Sequence, residues 1–367
     1  MTILDLFSGI GGFSLALKNI YKKEILHLNS DINKYANEVY KYHFNQSINY
    51  GSVTNIQSKK LPKIDIITFG SPCQDFSLAG KREGLDGQRS GLISEAIRLI
   101  KQCKPDFFIW ENVKGTFSSN NRKDFTAILQ AFTNIGGYRL EWQLLNTKWF
   151  LPQNRERIYL IGLLGKGSGQ QVFPIGENNK QVNELQGQQA NTCTLAAGRR
   201  DGQGSYIIER KLNAQEIKIK SATKKGYEIA KVGDAINYTN INSKTRRGRV
   251  GKGIAQTLDT GCNQGVLGYT RDSKGKVVKR HIINKANTIH SSSGGGGNTD
   301  QFIINQSKIR RLTPIECERL QGFPDNWTKY GINGLISDTQ RYKMCGNAIT
   351  VNVAEAIFKK IYGKKNN

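Results

Sequence analysis

Long apolar runs are missing from this chain: nowhere among its 367 residues do the roughly 18 consecutive apolar positions of a membrane-spanning helix occur. The opening Met1-Thr2-Ile3-Leu4-Asp5 has no basic segment ahead of an apolar stretch, so a signal peptide is not expected. Cysteines are few and scattered, six in all with no CxxC pair, which argues against a disulfide framework and against a tetrahedral zinc site. No metal is expected, and a reducing, cytoplasmic setting is the default. Acidic residues are scarce too. The 29 Asp and Glu face 54 Lys and Arg, and the resulting net charge of +25 favours polyanionic partners. The excess is uneven: residues 166–310 hold 24 basic against 10 acidic side chains, so a surface tracking a nucleic-acid backbone is expected there.

What is present begins with alternation of strand and helix patterns over residues 1–165. Strands are expected at Ile3–Phe7, Ile25–Asn29, Ile64–Phe69, Phe107–Trp110 and Arg157–Leu164. Helices are expected from Ser14 to Tyr21 with Leu15, Leu17 and Ile20 inward, from Asn33 to Tyr42, and from Leu92 to Gln102. This order predicts an α/β fold, a doubly wound and mostly parallel sheet covered on both faces. From 166 to 310 the texture changes to Gly, Asn, Gln, Lys and Thr with short β-like runs, a second, smaller and irregular β-rich domain. Within it Thr194-Leu195, Thr257-Leu258 and Thr288-Ile289 are each soon followed by glycines, a weak repeat that suits loops approaching a ligand, or ordinary hairpin turns. Helical order returns over 311–367. Thr313-Pro314-Ile315-Glu316 reads as a capping box with Thr313 at the N-cap, and a last helix is expected over Val351–Tyr362.

Three places carry chemistry. The turn Asp5-Leu6-Phe7-Ser8-Gly9-Ile10-Gly11-Gly12-Phe13 joins the first strand to the first helix, where glycines let a cofactor approach the backbone. Asp31, 20 residues after Gly11, stands where a carboxylate can accept from ribose hydroxyls. The turn lacks full GxGxxG spacing, which favours a cofactor without a pyrophosphate. Next, Gly70-Ser71-Pro72-Cys73-Gln74 ends the third strand, at the sheet edge where open α/β folds bind ligands. A lone cysteine is most often a small buried apolar residue. Its place after a proline, in a polar turn ahead of a Gly- and Lys-containing loop over Phe76–Ser90, points instead to a reactive thiolate. Finally, Glu111-Asn112-Val113 and Gln153-Asn154-Arg155-Glu156-Arg157 flank strands that end at the same edge. Alone, each would pass for a solvated acid or a surface ion-pair set.

Taken together and in this order, Asp5–Phe13, Pro72-Cys73-Gln74, Glu111-Asn112-Val113, Gln153–Arg157, Arg311–Pro324 and Gly346-Asn347 resemble the cytosine-5 DNA methyltransferase family, over roughly residues 1–165 and 308–362. The resemblance implies an S-adenosylmethionine-dependent enzyme, releasing S-adenosylhomocysteine, that methylates C5 of a flipped-out cytosine in a specific duplex DNA sequence. It implies Cys73 as the covalent nucleophile, Glu111 as the acid hydrogen-bonded to N3 and the exocyclic amine, Arg155 on O2 and Arg157 supporting the site. For the cofactor it implies Phe7 against adenine within the turn Ser8, Gly9, Gly11 and Gly12, and Asp31 on the ribose. It also implies Pro72 near the methionine, Leu92 lining the pocket, and Asn347 with Ala348 at the methionine end, the last helix folding back to complete the sheet. Two departures stand out: Gly51-Ser52-Val53 replaces a Gly-Asp that contacts adenine in many relatives, and Ile32 stands where an aromatic often stacks.

The segment 166–310 lies where the family places its target-recognition domain. Candidate DNA contacts are Ser77 and Arg89 in the loop after Cys73, Arg246, Arg247 and Arg249 in Lys244–Arg249, and Thr257 and Thr288 in the Thr-Gly units. A monomer acting on double-stranded DNA is expected, with a cognate restriction endonuclease as a possible partner on the same site. Three alternatives remain: an RNA cytosine-5 methyltransferase of the same fold, usually with a shorter insert; an inert DNA-binding relative; and a nicotinamide oxidoreductase sharing the glycine turn.

Overall fold

Strand β1 (Thr2–Leu6) is apolar almost throughout, and Ile3, Leu4 and Leu6 are fully buried, because parallel strands lie between neighbours and beneath helices on both faces. It pairs in parallel with β2 (Leu26–Ser30) on one side and β4 (Ile66–Gly70) on the other. The short β3 (Ile48–Asn49) extends the sheet beyond β2, and β5 (Phe107–Val113) beyond β4. The computed structural model describes residues 1–71, 91–118, 123–165, 171–176, 217–231, 233–237, 244–245, 247–268, 303–304 and 307–362. The expectations at Pro72, Cys73, Ser77, Arg89, Thr194, Arg246 and Thr288 lie outside the described residues.

The seven-stranded sheet runs β3-β2-β1-β4-β5-β8-β6, where β6 is Tyr138–Asn146 and β8 is Glu156–Leu164. Only β8 opposes its neighbours, antiparallel to both β5 and β6. The reversal follows from chain length: the connection from β6 to β8 carries no crossover helix, and a parallel neighbour would need one. The expected mostly parallel, doubly wound sheet is therefore what forms.

Helices α1 (Gly12–Ile20), α2 (Lys34–His43), α3 (Gly91–Cys103) and α4 (Lys123–Thr133) connect the strands and divide over the two faces. One face packs Phe13, Ala16, Val39 and Tyr40 onto the sheet, and the other packs Ile93, Ala96, Leu99 and Phe132. Sequence pattern did not single out α4 or β6. The period of β6 is obscured because it is the edge strand, its residues largely half-buried and the polar ones interleaved.

The C-terminal portion supplies α5 (Pro314–Leu320), α6 (Asp338–Asn347) and α7 (Val351–Tyr362). The expected capping box at α5 is present, Thr313 Oγ1 accepting from the Glu316 N–H and Glu316 accepting from the Thr313 N–H. Helix α7 buries Val353, Ala354, Ile357 and Phe358 among Ile3, Ala16, Leu17 and Phe107. It covers a sheet face beside α1 and adds no strand.

Residues after 165 build a small antiparallel sheet in which Ala235–Asn237 pairs with Val250–Gly251 and Gln264–Gly268, and the latter with Ser307–Arg311. A separate apolar cluster ties Ala255, Leu258 and Cys262 to Leu312, Cys317, Leu320 and Cys345. Just before β8, strand β7 (Gln153–Asn154) pairs in parallel with Ala255–Gln256 in a separate two-stranded sheet.

Candidate active site

At the carboxyl end of β1 the backbone must turn sharply into α1, and Phe7, Gly9 and Gly11 all take positive φ (52°, 52° and 83°). The turn is closed by the Gly11 N–H donating to the Ser8 carbonyl at 2.9 Å. A Cβ on Gly11 would stand 2.8 Å from the Phe44 ring, whereas one on Gly9 would meet nothing within 4 Å. Gly11 thus answers packing, and Gly9 borders open space. Asp31, one residue past β2, accepts from the Gly9 N–H and the Asn33 N–H, each at 2.8 Å. Burial raises its carboxyl pKa above the usual value despite those donors. The turn and the acid therefore meet. Ile32 beside it is 83% exposed, its side chain open to a flat ligand. Ser52 caps a short turn, its hydroxyl accepting from the Thr54 N–H at 3.4 Å, and Leu92 packs half-buried under the same side. The C-terminal segment closes the far side, where a Cβ on Gly12 would lie 3.0 Å from the Ile349 carbonyl oxygen.

These features suit an adenosine-type cofactor. Each Asp31 oxygen holds one backbone N–H and keeps a lone pair for a hydroxyl. Open space at Gly9 and the outward Ile32 offer room for the nucleoside.

Sequence reasoning missed a buried network beneath the turn. Asp5 is 1% exposed and accepts from Thr68 Oγ1 at 2.8 Å and Ser14 Oγ at 3.1 Å, and Ser14 in turn meets Tyr40 Oη at 2.7 Å. Burial, partly offset by those hydroxyl donors, pushes the Asp5 pKa up to about 7. Native Asp5 thus holds a proton that the unfolded chain has already released between pH 4 and 7. Stability from this group is full below pH 4, falls as pH rises to about 7, and is level above it. Asp5→Asn should flatten that decline, a difference on the order of a few kcal/mol between pH 4 and 8. Urea unfolding at several pH values checks it, and parallel curves for the variant and the parent would refute the assignment.

Strand β5 supplies the acid. Alternation sends Trp110 and Asn112 to one side and Glu111 to the other. The Trp110 indole N–H donates to Ser71 Oγ at 3.0 Å and the Asn112 amide does so at 3.2 Å, so the residue two before Cys73 is anchored from the neighbouring strand. Glu111, 8% exposed, forms an ion pair with Arg157, its Oε1 lying 3.1 Å from Nε. A Cβ on Gly70 would lie 3.1 Å from Glu111 Oε2, so the carboxylate hangs over the last residue of β4, three before Cys73.

The two arginines of Gln153–Arg157 part company. Arg157 reaches Glu111, but Arg155, expected on the base, is 4% exposed and donates to the Gly346 carbonyl at 3.3 Å and the Ala348 carbonyl at 3.0 Å. Burial lowers its pKa to about 10, and it stays cationic at neutral pH. Asn347, between those carbonyls, is exposed, while Ala348 is buried.

Among the expected DNA contacts, Arg247 is exposed, with Nε donating to the Ala222 carbonyl at 3.2 Å. Arg249 is only 1% exposed, and its Nη1 donates to the Asn237 carbonyl. As placed, it supports the small sheet rather than facing a groove. Thr257 Oγ1 donates to the Asn154 carbonyl at 2.8 Å, a link to β7. No cluster of metal-ligating side chains occurs among the described residues.

Comparison with known proteins accords with this geometry. The fold is shared with the Dnmt2 methyltransferase of S. pombe, at a TM-score of 0.55 and 17% identity over the whole of both chains. By sequence, the orphan methyltransferase M.SPRI of Bacillus phage SPR is 30% identical, with 98% of this chain and 97% of the relative aligned. The type II methyltransferase M.HpaII of Haemophilus parainfluenzae is also 30% identical, over 100% of this chain and 90% of the relative. The family model for C-5 cytosine-specific DNA methylases matches residues 1–363, and the chain belongs to that family. It is a methyltransferase acting on cytosine in DNA, and membership implies S-adenosylmethionine as the methyl donor.

Proposed function

We propose that the chain methylates C5 of a cytosine swung out of duplex DNA, through a covalent bond between Cys73 and C6. The observation that carries this reading is the Glu111–Arg157 pair suspended over Gly70, at the strand end from which Cys73 follows. The target carbon is unreachable inside a stacked helix, so the base must leave it, at a cost of a few kcal/mol that contacts with the protein offset.

Cytosine C5 is a weak nucleophile. Addition of the Cys73 thiolate to C6 forms a carbon–sulfur bond and pushes the C5–C6 electron pair toward C5, dividing one hard step into two. Glu111 donates a proton toward N3 and accepts from the exocyclic amine, offsetting charge that develops on the ring. Arg157, beside Glu111, takes the contact with O2 that the resemblance assigned to Arg155. The cofactor, when bound, supplies the electrophilic methyl. Loss of the C5 proton to water, expulsion of the Cys73 thiolate and return of the N3 proton to Glu111 then restore the ring.

Phe7, Ser8, Gly9, Asp31 and Ile32 would hold the nucleoside, Ser52 and Leu92 its rim, and Pro72 and Asn347 the amino-acid end. Residues 166–310 would read the sequence, with Arg247 at the surface and Thr257 bracing the segment on β7. Every named group comes from one chain, so a monomer suffices. An endonuclease cutting the same sequence is the partner that would make methylation protective.

Incubation with duplex DNA and tritiated S-adenosylmethionine, followed by bisulfite sequencing, tests the reading. Protected cytosines should recur in one short sequence context, with transfer RNA unlabelled. Label in transfer RNA alone, or on adenine, would remove it.

A further inference from the structure

A buried cation without a close ion pair is costly, and among the described residues Arg155 has none, Glu111 acting on it only from a longer distance. Among the described residues no Asp or Glu oxygen lies within ion-pair distance of it, and its Nε has no hydrogen-bond partner. Placing an isolated charge in the interior costs several kcal/mol, and neutral carbonyls recover only part of that. Where such a group persists, its position has a use.

The two carbonyls it holds are informative. They belong to Gly346 and Ala348, the last turn of α6 and the residue after it. A helix C-terminus carries partial negative charge on its unpaired carbonyls, so a guanidinium there is attracted to the helix end as well as to two oxygens. Between those anchors Asn347 is exposed, and no hydrogen bond among the described residues restrains its side chain. Gln321 Nε2 holds the preceding carbonyl, that of Cys345, at 2.9 Å. The turn is thus gripped from behind while Asn347 faces out.

The same short stretch also seats the recognition segment. β7, immediately before Arg155, pairs with Ala255–Gln256, and its Asn154 carbonyl accepts from Thr257. The loop that follows presses on the other side of the turn: a Cβ on Gly346 would collide with the Asp259 carbonyl and the Thr260 nitrogen, so only glycine fits. Residues 153–155 therefore touch both the segment expected to read DNA and the turn expected to hold the amino-acid end of the cofactor.

We infer that Arg155 is a positioning residue for cofactor binding, fixing the Gly346–Ala348 backbone so that Asn347 meets the amino-acid end of S-adenosylmethionine, and that it does not contact the flipped base. The inference rests on the proposed placement of the cofactor at Asn347.

Calorimetry of S-adenosylhomocysteine binding, paired with single-turnover methylation at saturating cofactor, separates the two roles. Arg155→Met should weaken product binding roughly 10-fold or more, the scale for losing charge-assisted hydrogen bonds. The saturated rate should stay within about threefold, and Arg155→Lys should recover part of the affinity by retaining one carbonyl contact. Arg157→Met should do the reverse, lowering the saturated rate while binding product as the parent does. Parent-like affinity with a collapsed rate in Arg155→Met would put Arg155 on the base and overturn the inference, as would parent-like affinity and rate together. Should Arg155→Met fail to fold, hydrogen exchange on the unaltered protein decides. Bound S-adenosylhomocysteine should slow exchange across 345–348, and unchanged exchange there despite calorimetric binding would overturn the inference. A parent protein that binds no S-adenosylhomocysteine at all would instead defeat the underlying cofactor placement.

Discussion

Cys73→Ser should bind duplex DNA with little change and fail to methylate it. A hydroxyl is a far weaker nucleophile than a thiolate toward C6, and at neutral pH it stays protonated. Loss of a covalent nucleophile costs on the order of 10⁴- to 10⁶-fold in turnover, which puts the variant below ordinary detection. DNA affinity should persist because most of it comes from cationic contacts to phosphates, and those lie on other parts of a chain with net charge +25. The complementary experiment uses the unaltered protein. A duplex with 5-fluorocytosine at the target should leave Cys73 bonded to C6, since fluorine cannot depart as a proton, and the adduct should survive denaturing electrophoresis. Turnover of Cys73→Ser near the parent rate, or no adduct from a parent that methylates ordinary duplex, would overturn the covalent route.

How much of this was readable beforehand depended on how local each feature is. The glycine turn and Asp31 were legible because the strand–turn–helix unit and a following strand end put both at one edge within about 30 residues. The parallel core strands were legible as near-continuous apolar runs. β6 was not, because an edge strand keeps polar residues among its apolar ones, and Ile48–Asn49 is too short to show any period. The pairing of Asp5 with Thr68 depends on two strands lying side by side in register, information that no local pattern carries. The arginines of Gln153–Arg157 are the sharpest case. Simple alternation gives residues two apart a common face, so pattern alone does not tell Arg155 from Arg157, and the resemblance put Arg155 on O2 with Arg157 in support. In the fold Arg155 occupies the break between β7 and β8, where the alternation lapses, and it points to the C-terminal turn while Arg157 stays in the ladder opposite Val113. Arg249 misled for a related reason: a run of basic residues reads as a solvated surface, and only the small sheet around it shows that this member of the run is enclosed.

The second large effect is expected at Glu111, and the choice of substituent separates two contributions. Addition of sulfur to C6 leaves negative charge to be accommodated at N3 and O2, and a proton delivered to N3 removes most of that burden. Glutamine retains the shape, can donate an N–H to N3 and can accept from the amine, but it cannot give up a proton. Glu111→Gln should therefore lower the methylation rate by about 10² to 10⁴, the usual contribution of a positioned acid. Glu111→Ala should be slower again by the loss of both hydrogen bonds, and it would leave Arg157 without its carboxylate in a site where that pair is mostly shielded. DNA binding measured in the presence of S-adenosylhomocysteine should change much less than the rate in Glu111→Gln, because ground-state contacts survive. Formation of the 5-fluorocytosine adduct should slow in parallel with methylation, since the acid acts in the step that makes the carbon–sulfur bond. If Glu111→Gln formed adduct at the parent rate but methylated slowly, the proton would be needed after sulfur adds, and Glu111 would have to be reassigned to that later step.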